Sequence, residues 1–493
     1  MELVQDTRLL LAVLAPLLGA CATVAFGKRP NLRDACSFVT AALLFGLIAW
    51  IAPAVYAGQI LHFPVFKLLP GVSIALRADP LSMIFALVAS LLWVLTVFYS
   101  IGYMRGLNEH AQTRFAACFA LALFGAIGCA FSDNLFTLYL FYELISITTY
   151  PLVAHHQDAE AYESGRKYLT YLVGAAKAAV LPAMVVLYVL VGNLDFAHGV
   201  RNGIIPADAD RWVVTLLYVC FVLGFAKNAL MPLHSWLPTA MVAPTPVSAL
   251  LHAVAVVKAG VFATTRVMLY VFGVEKMASL NLGLPTACFV SVTIVAASVI
   301  ALTKDNLKLR LAYSTVSQLA YIILGVALLT PAGVEGGLIH IPAHAFGKIT
   351  LFFCAGAVYV AARKQNISEM GGLGRTMPVT FGAFGLASLS MIGAPPVGGF
   401  VSKWYLLRGA LDAGSLLAVG VLVLSTILNA AYFVPVVYHA FFGQSAEAKP
   451  HNGVREADLR MLVPLSITAL LSVLLGVYPE VFMGFAKKVF VVP

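Results

Sequence analysis

The sequence predicts an all-α integral membrane protein of about fourteen transmembrane helices, on three observations. The chain is overwhelmingly apolar, its apolar residues fall in runs of spanning length, and its basic residues favour alternate loops. Apolar residues make up 61% of the 493 and charged residues only 11%, with a mean hydropathy of +0.92. A soluble domain carries roughly 25% charged residues, so most of this surface is expected to face the lipid bilayer. The net charge of +9 reads as the enrichment of Lys and Arg in cytoplasmic loops. No basic stripe interleaved with aromatics speaks for nucleic acid, and none is expected as a partner.

A span needs roughly 20 apolar residues at 1.5 Å each. Such runs lie near residues 8–26, 35–55, 79–102, 113–131, 134–154, 168–191 and 212–230, then 246–271, 282–302, 308–329, 336–361, 378–407, 412–442 and 459–482. With the N-terminus outside, the inner loops hold Lys28, Arg29, Arg33, Arg105, Arg114, Arg166, Lys167, Lys304, Lys308, Arg310, Arg363, Lys364, Arg375, Lys449, Arg455 and Arg460. The outer segments hold about half as many, among them Lys67, Arg77, Arg201, Arg211, Lys276, Arg408, Lys487 and Lys488. Both termini are therefore expected outside a cell (inner) membrane. Residues 1–6 are acidic rather than basic, and the apolar run after them is long enough to span, so no cleavable signal peptide is expected. Seven cysteines form no CxxC pair and no ligand spacing with histidine, so no cofactor and no metal site is expected.

Two spans are interrupted. The seventh runs into MPLHSWLP, with Pro232 and Pro238, and the twelfth contains GAPPVGG, with Pro395, Pro396 and Gly399. Proline removes a backbone donor and clashes with the preceding turn, so each helix should break inside the membrane, where only protein or a wet cavity can satisfy the freed groups. The breaks are five spans apart. Five is odd, so two five-helix units related by that offset have opposite orientation, the layout of inverted-repeat transporters. The chain then divides into an N-terminal three-helix segment (1–111), a first five-helix repeat (112–272), a second (273–442) and a C-terminal loop with the last helix (443–493).

Ionisable residues occupy the middle of these spans: Glu143 in the fifth, Lys227 late in the seventh just before its break, and His252 and Lys258 in the eighth. His340, His344 and Lys348 follow in the eleventh and Lys403 beyond the break in the twelfth. Each charge at mid-bilayer costs roughly 2.5–3.5 kcal/mol on insertion scales, so six unpaired ones would cost on the order of 15–20 kcal/mol. They are expected to face the interior and find partners or water. His340, His344 and Lys348 recur every four residues and share one helix face over roughly 12 Å. His252 and Lys258 are about 240° apart on a regular helix and should face different neighbours. His155 and His156 read as solvated loop residues.

A lysine beside a carboxylate holds its proton, whereas one alone in apolar surroundings gives it up more readily. Histidine accepts and donates through two nitrogens near neutral pH. A Glu143–Lys227 pair as trigger, histidine and lysine as relay and Lys403 as terminal store would make a switchable proton wire.

The same residues carry a family resemblance. KNALMPLHSWLPTAMVAPTPVSALLHAVAVVKAGVF (residues 227–262) resembles the signature of the proton-conducting antiporter-like subunits of respiratory complex I, membrane-bound hydrogenases and Mrp cation/proton antiporters. NLKLRLAYSTVSQLAYIILG (306–325) and HAFGKITLFFCAGA (344–357) are similar to its other recurring segments. The resemblance implies fourteen helices in two inverted repeats. It places the relay on Glu143, Lys227, His252, Lys258, His344 and Lys403, with His340, Lys348 and Lys177 as possible additions. It implies protons and Na⁺ as cargo, and other membrane subunits of a hetero-oligomeric complex as partners. Length and Lys403 point to the Mrp D-type. Met241 looks L-like, and Lys177 stands where L-like members tend to carry aspartate. The competing expectations are a proton-pumping subunit of a complex I-like NADH:quinone oxidoreductase or hydrogenase, and a scaffold serving a bicarbonate-uptake system.

Overall fold

The computed structural model describes residues 3–444 and 455–491. Helices form wherever the apolar runs predict them, and polar caps set their starts. Helices α1 (Arg8–Ala25), α2 (Pro30–Tyr56), α3 (Pro80–Gly106), α4 (Gln112–Ala130), α5 (Leu135–Val153) and α6 (Ala159–Val191) come first. Then follow α7 (Arg211–Gly224), α8 (Thr245–Phe272), α9 (Gly283–Leu302), α10 (Leu307–Ala327), α11 (Pro331–Ala362) and α12 (Pro378–Ile392). The last four are α13 (Gly398–Asp412), α14 (Leu416–Phe442), α15 (Leu459–Val477) and α16 (Glu480–Val491). Asp79, Asn134 and Asn306 cap α3, α5 and α10 by accepting from backbone N–H groups in the first turn.

Among the described residues, twelve helices are long and apolar enough to cross a membrane. The apolar helices α7 and α12 are shorter because they are the interrupted spans. Burial separates centre from rim: the spanning stretch of α8 is 100% buried and that of α10 83%, against 28% for α2 and 33% for α6. The rim presents Val189, Trp212 and Leu416, the outward apolar surface of a membrane bundle.

Several expectations need correction. The break after α7 begins at Phe225, ahead of Lys227. Residues Ala226–Asn228 make a single 3₁₀ turn and Ala229 is left-handed at φ 54°, so Lys227 stands in the break rather than before it. The eighth span is not a regular helix, because π turns occupy Leu250–Val254 and Met268–Phe272. The C-terminal region holds two helices, divided at Tyr478 and Pro479. Residues read as plain loop form a small sheet of β1 (Leu3–Gln5), β2 (Ile60–Leu69) and β3 (Val72–Ala78). β1 pairs parallel to β2, and β2 antiparallel to β3 around Pro70 and Gly71. Lys449, read as an inner-loop residue, lies outside the described residues.

Candidate functional site: a buried line of lysines and histidines

The line is built where α5, α8, α10, α11 and α13 meet. Lys227 is buried in the break, and its Nζ donates to the carbonyl of Tyr142 at 2.7 Å and lies over that ring. Its backbone N–H donates to the Tyr142 hydroxyl at 3.1 Å. The break is held on other sides by Trp236, which donates to the Ala226 carbonyl, and by Asn228, which donates to the Val222 carbonyl and to Thr264. Glu143, the next residue after Tyr142, is half-buried; its Oε1 has no hydrogen-bond partner, and it makes no ion pair with Lys227 within 4.0 Å. The expected trigger pair is therefore not in direct contact, and the Lys227 ammonium rests on Tyr142 instead. Lys177 sits in the π turn Ala176–Val180 on the exposed side of α6, still within Coulombic reach of Glu143.

The π turn at Leu250–Val254 and the bend at Ala255 re-phase α8, which overturns the expectation that His252 and Lys258 face different neighbours. Both reach α11. The His252 ring lies 4.7 Å from that of Phe352, and Lys258 Nζ is hydrogen-bonded to His344 Nδ1. Along α11 the His344 and His340 rings are 6.0 Å apart, as the four-residue spacing predicts. His340 Nδ1 is 2.9 Å from the Ser402 hydroxyl, and its ring is 5.3 Å from Tyr321. Lys403 Nζ lies 5.3 Å from the centre of the Tyr321 ring and donates to the Ile392 carbonyl at 2.7 Å and to Thr426 at 3.2 Å. Lys258, His344, His340, Tyr321 and Lys403 thus form one continuous row. Lys348 branches from it, donating to Ser314 at 2.8 Å.

The breaks differ in use. Pro232 lies in the open turns before the short helix Trp236–Thr239, and Pro238 lies within that helix. Pro395 and Pro396 fill the gap between α12 and α13, which α12 enters through Gly393 at φ 90°. Gly399, in the first turn of α13, lies against the Ser390 carbonyl, where a Cβ would lie 1.7 Å away.

A cavity of about 650 Å³ opens at one end of the bundle, lined by Tyr103, Glu109, His156, Thr245, Lys308 and Tyr359 among others. His252 lies seven residues into the helix that starts at Thr245, roughly 10 Å deeper at 1.5 Å per residue. Lys308, read as a loop cation, donates to the Ala243 carbonyl in this wall. His155 is not solvated but fully buried. Burial, with help from His110, pulls it down to about 4, whereas the Glu109 carboxylate raises His156.

Sequence reading missed Arg266. It is buried in α8 and grips Asp79 through Nη1 at 2.5 Å and Nη2 at 3.0 Å, with Arg77 at 3.4 Å from the same carboxylate. The signal was available, since Arg266 stands inside an apolar run. Arg77, assigned to an outer loop, is buried beside it.

A helical membrane bundle with broken spans and an interior row of lysine and histidine defines a polytopic protein built around buried ionisable groups. The family described as NADH:quinone oxidoreductase/Mrp antiporter, TM, matches residues 132–429, and that described as NADH-Ubiquinone oxidoreductase (complex I), chain 5 N-terminus, matches residues 70–116. The chain belongs to the NADH:quinone oxidoreductase/Mrp antiporter family. It is 33% identical to NADH-quinone oxidoreductase subunit N of Desulforudis audaxviator, over 96% of each chain. Its fold is similar to a chain of an archaeal membrane-bound sulfane sulfur reductase, a respiratory membrane complex (TM-score 0.88, 25% identity, 99% of this chain and 98% of that one). It is also similar to a chain of the Mrp complex from Dietzia sp. (TM-score 0.87, 22% identity, 98% and 96%).

Proposed function

We propose that this chain is a proton-translocating subunit of a multisubunit Mrp-type Na⁺/H⁺ antiporter. The observation that carries this is the row from Lys258 through His344, His340 and Tyr321 to Lys403. Its members can each donate and accept a proton and lie across the bundle interior, with Lys227 and Glu143 at the other end. Gaps of 5–6 Å between rings exceed a hydrogen bond, so transfer across them runs through bridging water. The unpartnered nitrogens of His252, His340 and His344 and the Gln318 amide are the groups such a water chain would bind. Lys403 closes the row as a terminal store. Closing and reopening of the Glu143–Lys227 pair is the trigger, and the Tyr142 carbonyl holds the lysine while the pair is open. Protons enter from the cavity at Thr245 by way of His252.

The two five-helix units 112–272 and 273–442 act as inverted repeats, each with its own break, flanked by 1–111 and 443–493. The protein lies in the cell membrane with both termini outside, so the cavity opens inward. Neighbouring membrane subunits complete the complex, and Na⁺ passes through it. The full-length likeness to NADH-quinone oxidoreductase subunit N favours a second reading, in which a redox reaction in partner subunits drives the same proton movement. Neighbouring genes for small antiporter subunits, or for flavin and iron–sulfur proteins, separate the two.

The test is transport. Glu143→Gln and Lys227→Ala are each expected to abolish coupled proton movement in everted vesicles, read by acridine-orange quenching, while the complex still assembles. Wild-type quenching in either variant would sink the proposed wire.

A further inference from the structure

At the end of the bundle where the cavity opens, two loops meet: residues 107–111, between α3 and α4, and residues 154–158, between α5 and α6. There Glu109, His110 and His155 present ligand atoms that all lie within 4.8 Å of one another. His155 is fully buried, and neither of its ring nitrogens has a hydrogen-bond partner. Its Nε2 lies 3.8 Å from Glu109 Oε2, and the His110 ring lies 4.7 Å from its own. Buried polar groups are normally paired, so an imidazole held this way, facing a carboxylate and a second imidazole, calls for a ligand. The surroundings hold it in place. Arg114 donates to the His155 carbonyl at 2.9 Å, and His156 Nε2 lies 3.6 Å from the other Glu109 oxygen, orienting the carboxylate. His110 is exposed and leaves a path from solvent.

We propose that Glu109, His110 and His155 form a three-ligand site for a divalent transition-metal ion of the Zn²⁺ type, at the rim of the cavity. Two imidazoles and one carboxylate, with a fourth position left for water, are a donor set that zinc accepts, at bond lengths of about 2.0–2.2 Å. A tetrahedral ion of that size holds its ligand atoms roughly 3.3 Å apart, so side-chain rotation of about an ångström closes the group. Imidazole nitrogen selects zinc, copper or nickel over magnesium or calcium. The ligand spacing is invisible as a motif because α4 and α5 separate the two loops in sequence. Glu109 also lines the cavity, so a bound ion occupies a carboxylate at its mouth.

The test is zinc binding by the full chain, purified in detergent, stripped with chelator and titrated with ZnCl₂ with metal analysis. Wild type is expected to bind one zinc ion per chain whose affinity falls roughly tenfold or more in His110→Ala and in Glu109→Gln. The exposed His110 can be truncated without disturbing the fold, and His198→Ala, at a loop histidine outside this group, is expected to bind as wild type does. Zinc-edge X-ray absorption is expected to report nitrogen and oxygen ligands without sulfur. Equal binding in wild type and His110→Ala, or sulfur in the shell, would overturn the site.

Discussion

Gly260 fixes how closely the broken segment approaches α8. A Cβ there would lie 2.3 Å from both the carbonyl carbon of Lys227 and the amide nitrogen of Asn228, so the helix rests directly on the backbone that carries the lysine. Gly260→Ala forces those atoms apart and is predicted to cost about 1–3 kcal/mol, lowering the thermal midpoint of the solubilised chain. Gly46→Ala, where a Cβ meets nothing within 4 Å, is the control and should leave the midpoint unchanged or slightly higher; equal midpoints for the two would contradict the close approach. At this scale the sequence was half legible. A charge inside an apolar run announces itself, so Lys227, Lys258, His344 and Lys403 could be picked out directly. Their partners could not. Lys227 bonds the Tyr142 carbonyl rather than the Glu143 carboxylate, because backbone acceptors leave no mark in a sequence. His155 was placed on the wrong side of the surface, since no periodicity extends across a helix end.

The breaks are the elements that carry the chemistry. Pro232, Pro395 and Pro396 made them legible, and the chain does open at both places. What proline content does not disclose is how the loose ends are tied. Lys403 Nζ donates to the Ile392 carbonyl, the last of α12, so the same ammonium ends the row of ionisable groups and caps a helix C-terminus. Lys403→Glu keeps an ionisable group there but sets a carboxylate against that carbonyl. Proton movement in everted vesicles is expected to fall between zero and the wild-type rate, and complete loss with normal assembly would count against the terminal-store role. The π turns in α6 and α8 had no sequence signal, and the one at Leu250–Val254 decides that His252 and Lys258 both reach α11.

Across the whole molecule, one ion-pair cluster ties the sheet to the bundle. Arg77 on β3, Asp79 at the start of α3 and Arg266 in α8 are each no more than 1% exposed. Arg266→Met leaves Asp79 buried with Arg77 alone at 3.4 Å. Removing one member of a buried pair costs about 3–5 kcal/mol, and the remaining arginine sets the expectation at the lower end. The amount of folded protein recovered from membranes should drop sharply, and wild-type recovery would show the cluster to be dispensable. The bundle itself was legible from hydropathy alone, since lipid demands long apolar helices. The small sheet was not, although the Pro70–Gly71 turn between β-branched and aromatic residues is its sequence sign.

If the interior row carries the protons, Lys258 is indispensable, because it is fully buried and joins α8 to His344. In Lys258→Met, assembled at normal levels, the initial rate of acridine-orange quenching in everted vesicles is predicted to fall on the order of tenfold or more. A wild-type rate in that variant would show that the protons take another path.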